Sequence, residues 1–478
     1  MIPELSEKGI RVALDAEGIL KQRKELIEAV IALNKFLITR EDVERIVGER
    51  EEMEKKEKER REEATVIVRR EGKPPLAKEY DADIFIDHKR DVTGKSRTTG
   101  KIENFISYFR NRFKRMRRLF VGSKFGYMET EVAELKKRNT EKVKVVGMVY
   151  KKSVTKKGNI LLMIEDLTGA YKVVIPNRNE KLFEQANRIV RDDILAFYGK
   201  VVHPLLIADD FEWPDAPLRR ERKKSERDLE AAYISDIHFG SNKFLWTCFE
   251  KFVNWLKKNE RAEKVKYILV AGDIVDGIGI YPNQEKELVV KDIEKQYDMF
   301  NDFVSMLPDY ISVIVIPGNH DAVRRGEPMP AIGTDLIKSD VVLAGNPARV
   351  YLDGISHILY HGTSLDSFIS TIPKLSYTKP EEVMKEYIIR RHLSPFYGEN
   401  PVIPEEIDYM VIDDVPDIMH VGHIHKNGYL SYRGTLLINS GTFQAQTEYQ
   451  IKQGHVPTPG EVPVYNLKTA KLSILKFA

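Results

Sequence analysis

The chain holds a single cysteine, Cys248, among 478 residues. That excludes a disulfide framework and a thiolate zinc site built by this chain alone, and suits a reducing compartment. Also missing is any apolar run near the roughly 18 residues that span a bilayer. The N-terminus has no apolar signal stretch either, so an intracellular, cytoplasmic protein with no membrane contact is expected. An excess of one charge is absent as well: 76 Lys and Arg against 73 Asp and Glu leave a formal +3. Nucleic-acid binding would therefore have to come from local basic patches. What is present is the composition of a globular protein, 42% hydrophobic and 31% charged, with a few highly charged stretches. The length exceeds what one hydrophobic core usually supports, so several domains are expected.

Residues 1–48 read as a small helical region. Leu26, Ile27, Val30, Ile31, Leu33 and Leu37 recur at helical spacing, and Thr39 with Asp42 resembles a capping box opening a second helix that stops at Gly48. A linker over 49–80 follows; its run Glu49–Glu63 is almost wholly Glu, Lys and Arg, readable as a solvated helix or as a mobile connection. Residues 81–139 lead into the next unit through an extended start, Asp83–Asp87, and a helical stretch, Ile102–Phe120. Within that stretch Arg110, Arg112, Lys114 and Arg115 alternate with aromatics. They suit contact with nucleic-acid phosphates, yet Phe105, Phe109, Phe113 and Met116 also form a packing stripe, and both readings can hold together.

Over 140–212 the period changes to that of strands: Val143–Tyr150, Ile160–Glu165, Tyr171–Ile175 and Ile194–Val202, with a helical segment at Glu180–Arg191 between the third and fourth. That order fits an OB-fold, with a generic small barrel as the alternative. A basic linker spans 213–228, and from 229 to 478 short apolar strands alternate with helices.

The strands of this last region end in polar motifs: Asp236-Ile-His238, Gly272-Asp273, Gly318-Asn-His-Asp321, His361-Gly362 and Gly422-His-Ile-His425. Open α/β sheets place ligands at such strand ends. Asp236 and His238 alternate around one residue, as do His423 and His425, so on a pleated strand each pair would face one way. Asp273 is short, anionic and able to bridge two cations; Asn319 offers a neutral carbonyl oxygen beside His320. Taken singly each motif is weak, but together and in order they specify a two-metal phosphoesterase site. His420 reads as structural, Asp321 as a supporting or turn-capping residue and Asp276 as loop-forming.

These motifs resemble the calcineurin-like metallophosphoesterase superfamily, which includes double-strand-break repair nucleases. From about residue 80 onward the chain is similar to the small subunits of archaeal D-family DNA polymerases, through Tyr108-Phe-Arg-Asn-Arg-Phe113, Ser235-Asp-Ile-His-Phe-Gly240, Gly318-Asn-His-Asp321 and Asn439-Ser-Gly-Thr-Phe-Gln-Ala-Gln-Thr-Glu448. With the resemblance, the expected architecture is multidomain α+β: an OB-fold β-barrel and a phosphoesterase αββα sandwich, after a small helical N-terminal region that is short and where the chain departs from the family. It also implies a proofreading 3′–5′ exonuclease acting on DNA, and a permanent partner, the large catalytic subunit, through which a sliding clamp would be reached. Carried over, Asp236, His238, Asp273 and His425 would hold a first ion, and Asp273, Asn319, His361 and His423 a second. His320 would be the non-ligand histidine at the scissile phosphate. The donor mix suits Mn²⁺, Fe²⁺ or Zn²⁺ better than Mg²⁺, and the resemblance points to Mn²⁺. Two other readings stay open: a stand-alone metallophosphoesterase, and a catalytically silent scaffold subunit.

Overall fold

The structure, a computed structural model, describes residues 74–478 and individual positions between 5 and 47. Residues 1–73 form one compact unit and 74–478 another. In the first, Arg11–Val12 pairs in parallel with Leu37–Ile38, and Leu5, Leu20, Leu26, Val30, Ile38 and Val43 share a small core. Thr39 and Asp42 bond reciprocally, as a capping box should: the Thr39 amide donates to Asp42 at 3.1 Å and the Asp42 amide to the Thr39 hydroxyl at 3.4 Å. The charged run 49–63 lies outside the described residues, as do Ile31, Leu33 and the side chain of Leu37.

The second unit contains two six-stranded sheets and a barrel. Its elements begin with β1 (Ile84–Ile86), α1 (Ile102–Arg117) and β2 (Met128–Thr130). The barrel strands follow: β3 (Lys142–Val154), β4 (Ile160–Glu165), β5 (Ala170–Ile175), then α2 (Glu180–Ala186), β6 (Ile194–Val202) and β7 (Leu205–Glu212). Strands β3 to β7 close into a ring in the order β3-β4-β5-β7-β6, because β3 pairs with both β4 and β6. Strand β7 goes unnoticed in the sequence, since Asp209-Asp210 interrupts its apolar alternation; pairing with β6 and β5 decides it.

The rest of the unit is β8 (Glu230–Ile234), α3 (Trp246–Lys258), β9 (Val265–Ala271), α4 (Ile293–Met306), β10 (Ser312–Ile316), β11 (Val342–Leu343), β12 (Ala348–Leu352) and β13 (Ile355–Tyr360). Then come α5 (Leu365–Thr371), α6 (Pro380–Arg390), β14 (Ile418–Val421), β15 (Asn427–Tyr432), β16 (Thr435–Ser440), α7 (Glu448–Gln453), β17 (Glu461–Asn466) and β18 (Leu472–Lys476). One sheet runs β11-β10-β9-β8-β17-β18, the other β15-β16-β14-β13-β12-β1. Its central strands are apolar on both faces, as strands covered on both sides must be. Tyr267, Leu269 and Ala271 of β9 join Leu359 of β13 and Ile438 of β16 in one core, while Ile268 and Val270 turn into another with Phe252 of α3 and Phe300 of α4. Tyr360, Met419 and Leu437, on the far face of the second sheet, pack with α5 and α6.

Two sequence expectations are revised, and the basic linker is seen to be anchored. The segment around Ile84–Ile86 does not lead into the barrel: it is an edge strand of the second sheet, registered on Val350–Leu352. The basic stretch 213–228 is strapped down, with Arg220 on Asp417 at 2.7 Å and Arg227 on Asp353 at 3.2 Å. On α1 the buried face is Tyr108, Arg112, Phe113 and Met116, while Phe105 and Phe109 are half-buried against Tyr397. Arg112 lies inside, bonded to Asp408 at 2.6 Å, and Arg115 reaches the Asp413 carboxylate and the Asp408 carbonyl. Neither guanidinium is available to a phosphate; Arg110 and Lys114 remain on the exposed side. No helix among the described residues is long and apolar enough to cross a membrane.

Candidate metal centre

Each motif residue sits just beyond a strand, not on it. Strand β8 ends at Ile234, β9 at Ala271, β13 at Tyr360 and β14 at Val421. Past those ends the backbone turns left-handed at Asp236 (φ 49°), His238 (57°), Asp273 (50°), His423 (71°) and His425 (59°). The shared direction of each pair therefore does not come from strand pleating. Side chains other than glycine seldom hold such φ values, and clusters of them mark functional sites where surrounding contacts over-determine the backbone. The contacts are visible: Asp236 donates its amide to the Gly272 carbonyl at 3.0 Å, His238 to Asp273 at 3.1 Å, and His423 donates to the Asp236 carboxylate at 2.9 Å. Glycine is required at Gly318, where a Cβ would lie 2.1 Å from Asp273 Oδ1.

These turns bring the two sheets' strand ends together. Asp236, His238, Asp273, His361 and His425 are all buried. Asp273 Oδ1 is held by the His320 amide at 2.8 Å, which leaves Oδ2 facing three imidazoles: His361 Nε2 at 3.3 Å, His238 Nε2 at 3.8 Å and His320 Nε2 at 4.0 Å. On one side His238 Nε2 and His425 Nε2 approach to 3.1 Å, with Asp236 Oδ1 3.5 Å from the latter. On the other, His361 Nε2 is 3.0 Å from Asn319 Oδ1, and the His361 and His423 rings stand 5.2 Å apart.

Donor atoms of Asp236, His238 and His425 lie within 4.8 Å of one another, as do those of Asp236, Asp273 and His361, and those of His238, Asp273 and His320. The set fits divalent cations: two imidazole nitrogens about 2.1 Å from one ion, at right angles, would be about 3 Å apart, close to the His238–His425 separation. Carboxylate, carbonyl and imidazole donors, with no thiolate, match a borderline transition ion. His423 stands outside these three-membered groups, and its Nε2 lies 3.1 Å from Asp366 Oδ2.

The electrostatics describe a site in which protons and cations compete. Burial alone would raise the Asp273 carboxyl, but His361 and His320 hold it well below the usual carboxylate range. Burial would lower His361, yet Asp273 and Asp236 raise it to about 10. His425 is driven well below its ordinary value by burial and then by His238. Burial also lowers His320, against the pull of Asp273. Asp321 is pushed up to about 7 by burial and by the Asp273 charge, while accepting the Gly318 amide at 2.8 Å. It shapes the turn, the supporting role its position suggested.

Asp276 does more than form a loop. Its Oδ1 lies 3.0 Å from His238 Nδ1 and is also bonded by Gln444, while its carbonyl accepts from His320 Nδ1 at 2.7 Å. The Gln450 amide stands 2.8 Å from His425 Nδ1. These partners fix the orientation of the three rings. Gln444 lies in the Asn439–Glu448 motif, which assigned it no role; Gln450, just past the motif, and Asp366 carried no sequence signal. His420 is structural, bonded through Nε2 to Ser440 at 2.9 Å and packed edge-on against Tyr233.

Residues 231–427 match the calcineurin-like phosphoesterase family. Over 411 residues the chain is 39% identical to the DNA polymerase II small subunit of Methanothermobacter thermautotrophicus, covering 83% of this chain and 84% of that protein. It is 43% identical over 387 residues to the subunit of the same name from Archaeoglobus fulgidus, covering 79% and 78% of the two chains. With the Methanocaldococcus jannaschii protein of that name it shares 40% over 407 residues, 82% of this chain and 68% of the other. A chain that matches so much of these proteins belongs to the family of archaeal DNA polymerase II small subunits.

Proposed function

We propose that this chain is the nuclease subunit of a DNA polymerase complex, removing nucleotides from DNA 3′ ends for proofreading while supporting a large polymerising subunit. The observation that carries this is the placement of Asp273 Oδ2 between the His238/His425 side and the His361/Asn319 side of one buried pocket. In this reading Asp236, His238, Asp273 and His425 hold one ion, and Asp273, Asn319, His361 and His423 the other, with Mn²⁺ as the metal. Two such ions, when bound, polarise a phosphate oxygen and lower the pKa of water.

The chain's own residues do the rest. Asp236 and Asp273 supply the anionic charge that keeps the cations in place. The His320 Nδ1 proton is committed to the Asp276 carbonyl, so Nε2 is the titrating atom at the partly open face of the pocket. Water adds to phosphorus and loses a proton to solvent, the bond from phosphorus to the 3′-oxygen breaks, and His320 Nε2, once it has taken a proton from solvent at the open face, passes that proton to the leaving oxygen. The closed five-strand barrel, with α2 between its third and fourth strands, is read as an OB-fold, and the two sheets with their outer helices as the phosphoesterase αββα sandwich. Arg110 and Lys114 on α1 are the remaining candidates for contact with the DNA backbone; a sliding clamp would be met through the complex.

The test is digestion of 5′-labelled and 3′-labelled single strands in Mn²⁺, by the chain with and without the large subunit. Early release of the 3′ label as a mononucleotide is expected. Hydrolysis of p-nitrophenyl phosphate but not DNA would make it a stand-alone phosphatase, and two bound ions with no hydrolysis would make it a scaffold.

A further inference from the structure

All four histidines assigned above to the two ions have an outer partner that fixes the ring, but the partners are not alike. His238 Nδ1 faces the Asp276 carboxylate at ion-pair distance (3.0 Å), while His361 is hydrogen-bonded to the Ala271 carbonyl (2.8 Å) and His425 to Gln450 (2.8 Å). Each of these contacts is buried. The fourth is not: His423 Nε2 meets Asp366 Oδ2 at 3.1 Å, and the Asp366 side chain is 50% exposed, against 2% for Asp276.

We propose that Asp366 is a positioning residue for the second ion, holding His423 so that Nδ1 is its ligand atom, and that this makes the second ion the more weakly held of the pair. The inference rests on the two-ion reading above. With Nε2–H donated to Asp366, Nδ1 is the ring nitrogen left to donate a lone pair. Asp366 is itself held: it lies on the first turn of α5, five residues after His361, and accepts a hydrogen bond from Tyr377, whose ring lies 3.7 Å from that of His455, tilted by 37°. The turn that delivers one imidazole to the second ion thus also delivers the carboxylate that orients the other. A carboxylate behind a metal-bound histidine fixes its tautomer and ring angle, and losing such a partner costs about 10–100-fold in metal affinity. The half-exposed position gives solvent access to this anchor, which the Asp276–His238 contact denies.

The experiment is Mn²⁺ titration of the full chain by calorimetry, with electron paramagnetic resonance to distinguish a spin-coupled pair from a single ion. The wild type should bind two equivalents and show the coupled signal. Asp366→Ala should bind the first equivalent unchanged and the second about 10–100-fold more weakly, with an isolated-ion spectrum at one equivalent. Asp366→Asn keeps an oxygen that accepts from Nε2–H, so it should recover most of the second affinity; a purely structural role would show no such rescue. His423→Ala separates the two levels of the argument. If it loses the second ion while Asp366→Ala keeps wild-type affinity for both, the positioning role is overturned. If His423→Ala itself retains both ions, the ligand assignment on which the role depends is overturned. Asp366 is half exposed, so neither of its variants removes a core contact, and circular dichroism checks that both are folded.

Discussion

His320 and Asp273 face each other across 4.0 Å but do different work, and single substitutions should separate them. Asp273 stands between both halves of the donor set, whereas His320 has its ring nitrogens on the Asp276 carbonyl and on the open side of the pocket. His320→Ala is therefore expected to retain two ions and lose about 10²–10⁴-fold in hydrolysis, the usual contribution of a positioned proton donor. Asp273→Ala should lose both the ions and the activity. Metal analysis of the two purified variants beside a DNA digestion assay checks this; equal metal retention in both would remove Asp273 from the bridging position. The same pair shows why a motif reading stops short. That Asp273 can bridge follows from its chemistry, but that Oδ1 is occupied by the His320 amide, leaving Oδ2 to face the imidazoles, depends on the turn after β10 meeting the turn after β9.

Among the elements, α1 is where sequence and structure differ most usefully. Its basic residues look interchangeable in sequence, yet Arg112 is buried with Asp408 and Tyr108 while Arg110 is exposed. Around Arg112 the Phe113 and Met116 side chains pack with Ile194, Ala196 and Tyr198 of the barrel and with Val411, so this helix clamps barrel to phosphoesterase. Arg390 of α6 strengthens the same junction by reaching Asp193 at 2.9 Å. Removing one partner of a buried ion pair leaves the other uncompensated, at a cost of about 3–5 kcal/mol. Arg112→Ala should be destabilised by about that much in equilibrium urea unfolding, whereas Arg110→Ala should change stability by about 0.5 kcal/mol or less. If Arg110→Ala proved the costlier change, the clamp would be misplaced.

For the molecule as a whole, buried histidines set the response to acid. Burial lowers His357 and His392 to about 4 and His420 to about 3, and each is neutral in the folded chain. The unfolded chain takes up protons near pH 6.5 at all three positions, so their contribution is whole above that pH and is lost as pH falls toward 4. Asp321, held up to about 7, acts in the opposite sense by binding a proton in the folded state first. His320 and His425, also lowered by burial, add to the three, while Asp193, Asp236 and Glu327, raised by burial, side with Asp321. The histidines should prevail, so that the unfolding free energy is lower at pH 4.5 than at pH 6.5, each unit of pKa difference counting about 1.4 kcal/mol. Urea unfolding of the metal-free chain across that range measures it, and a stability that stayed flat or rose would contradict the assignment of neutral buried rings.

The strands that lead to Asp236, Asp273, Gly318 and His361, the helix α3 and the residue types at those strand ends were legible because apolar runs and glycine-bounded polar motifs are local properties of a chain. Strand β7 and the edge strand Ile84–Ile86 were not, since their meaning comes from partners far away in sequence. What Asp236, His238, Asp273, His361 and His425 are chemically able to do was settled by their side chains. Which of them face one another, which of α1's arginines is buried, and that Asp366 stands behind His423 were decided only by tertiary packing. A carboxylate's charge belongs to its residue, but its neighbours belong to the fold, and here both sheets must end at one place before those groups can meet.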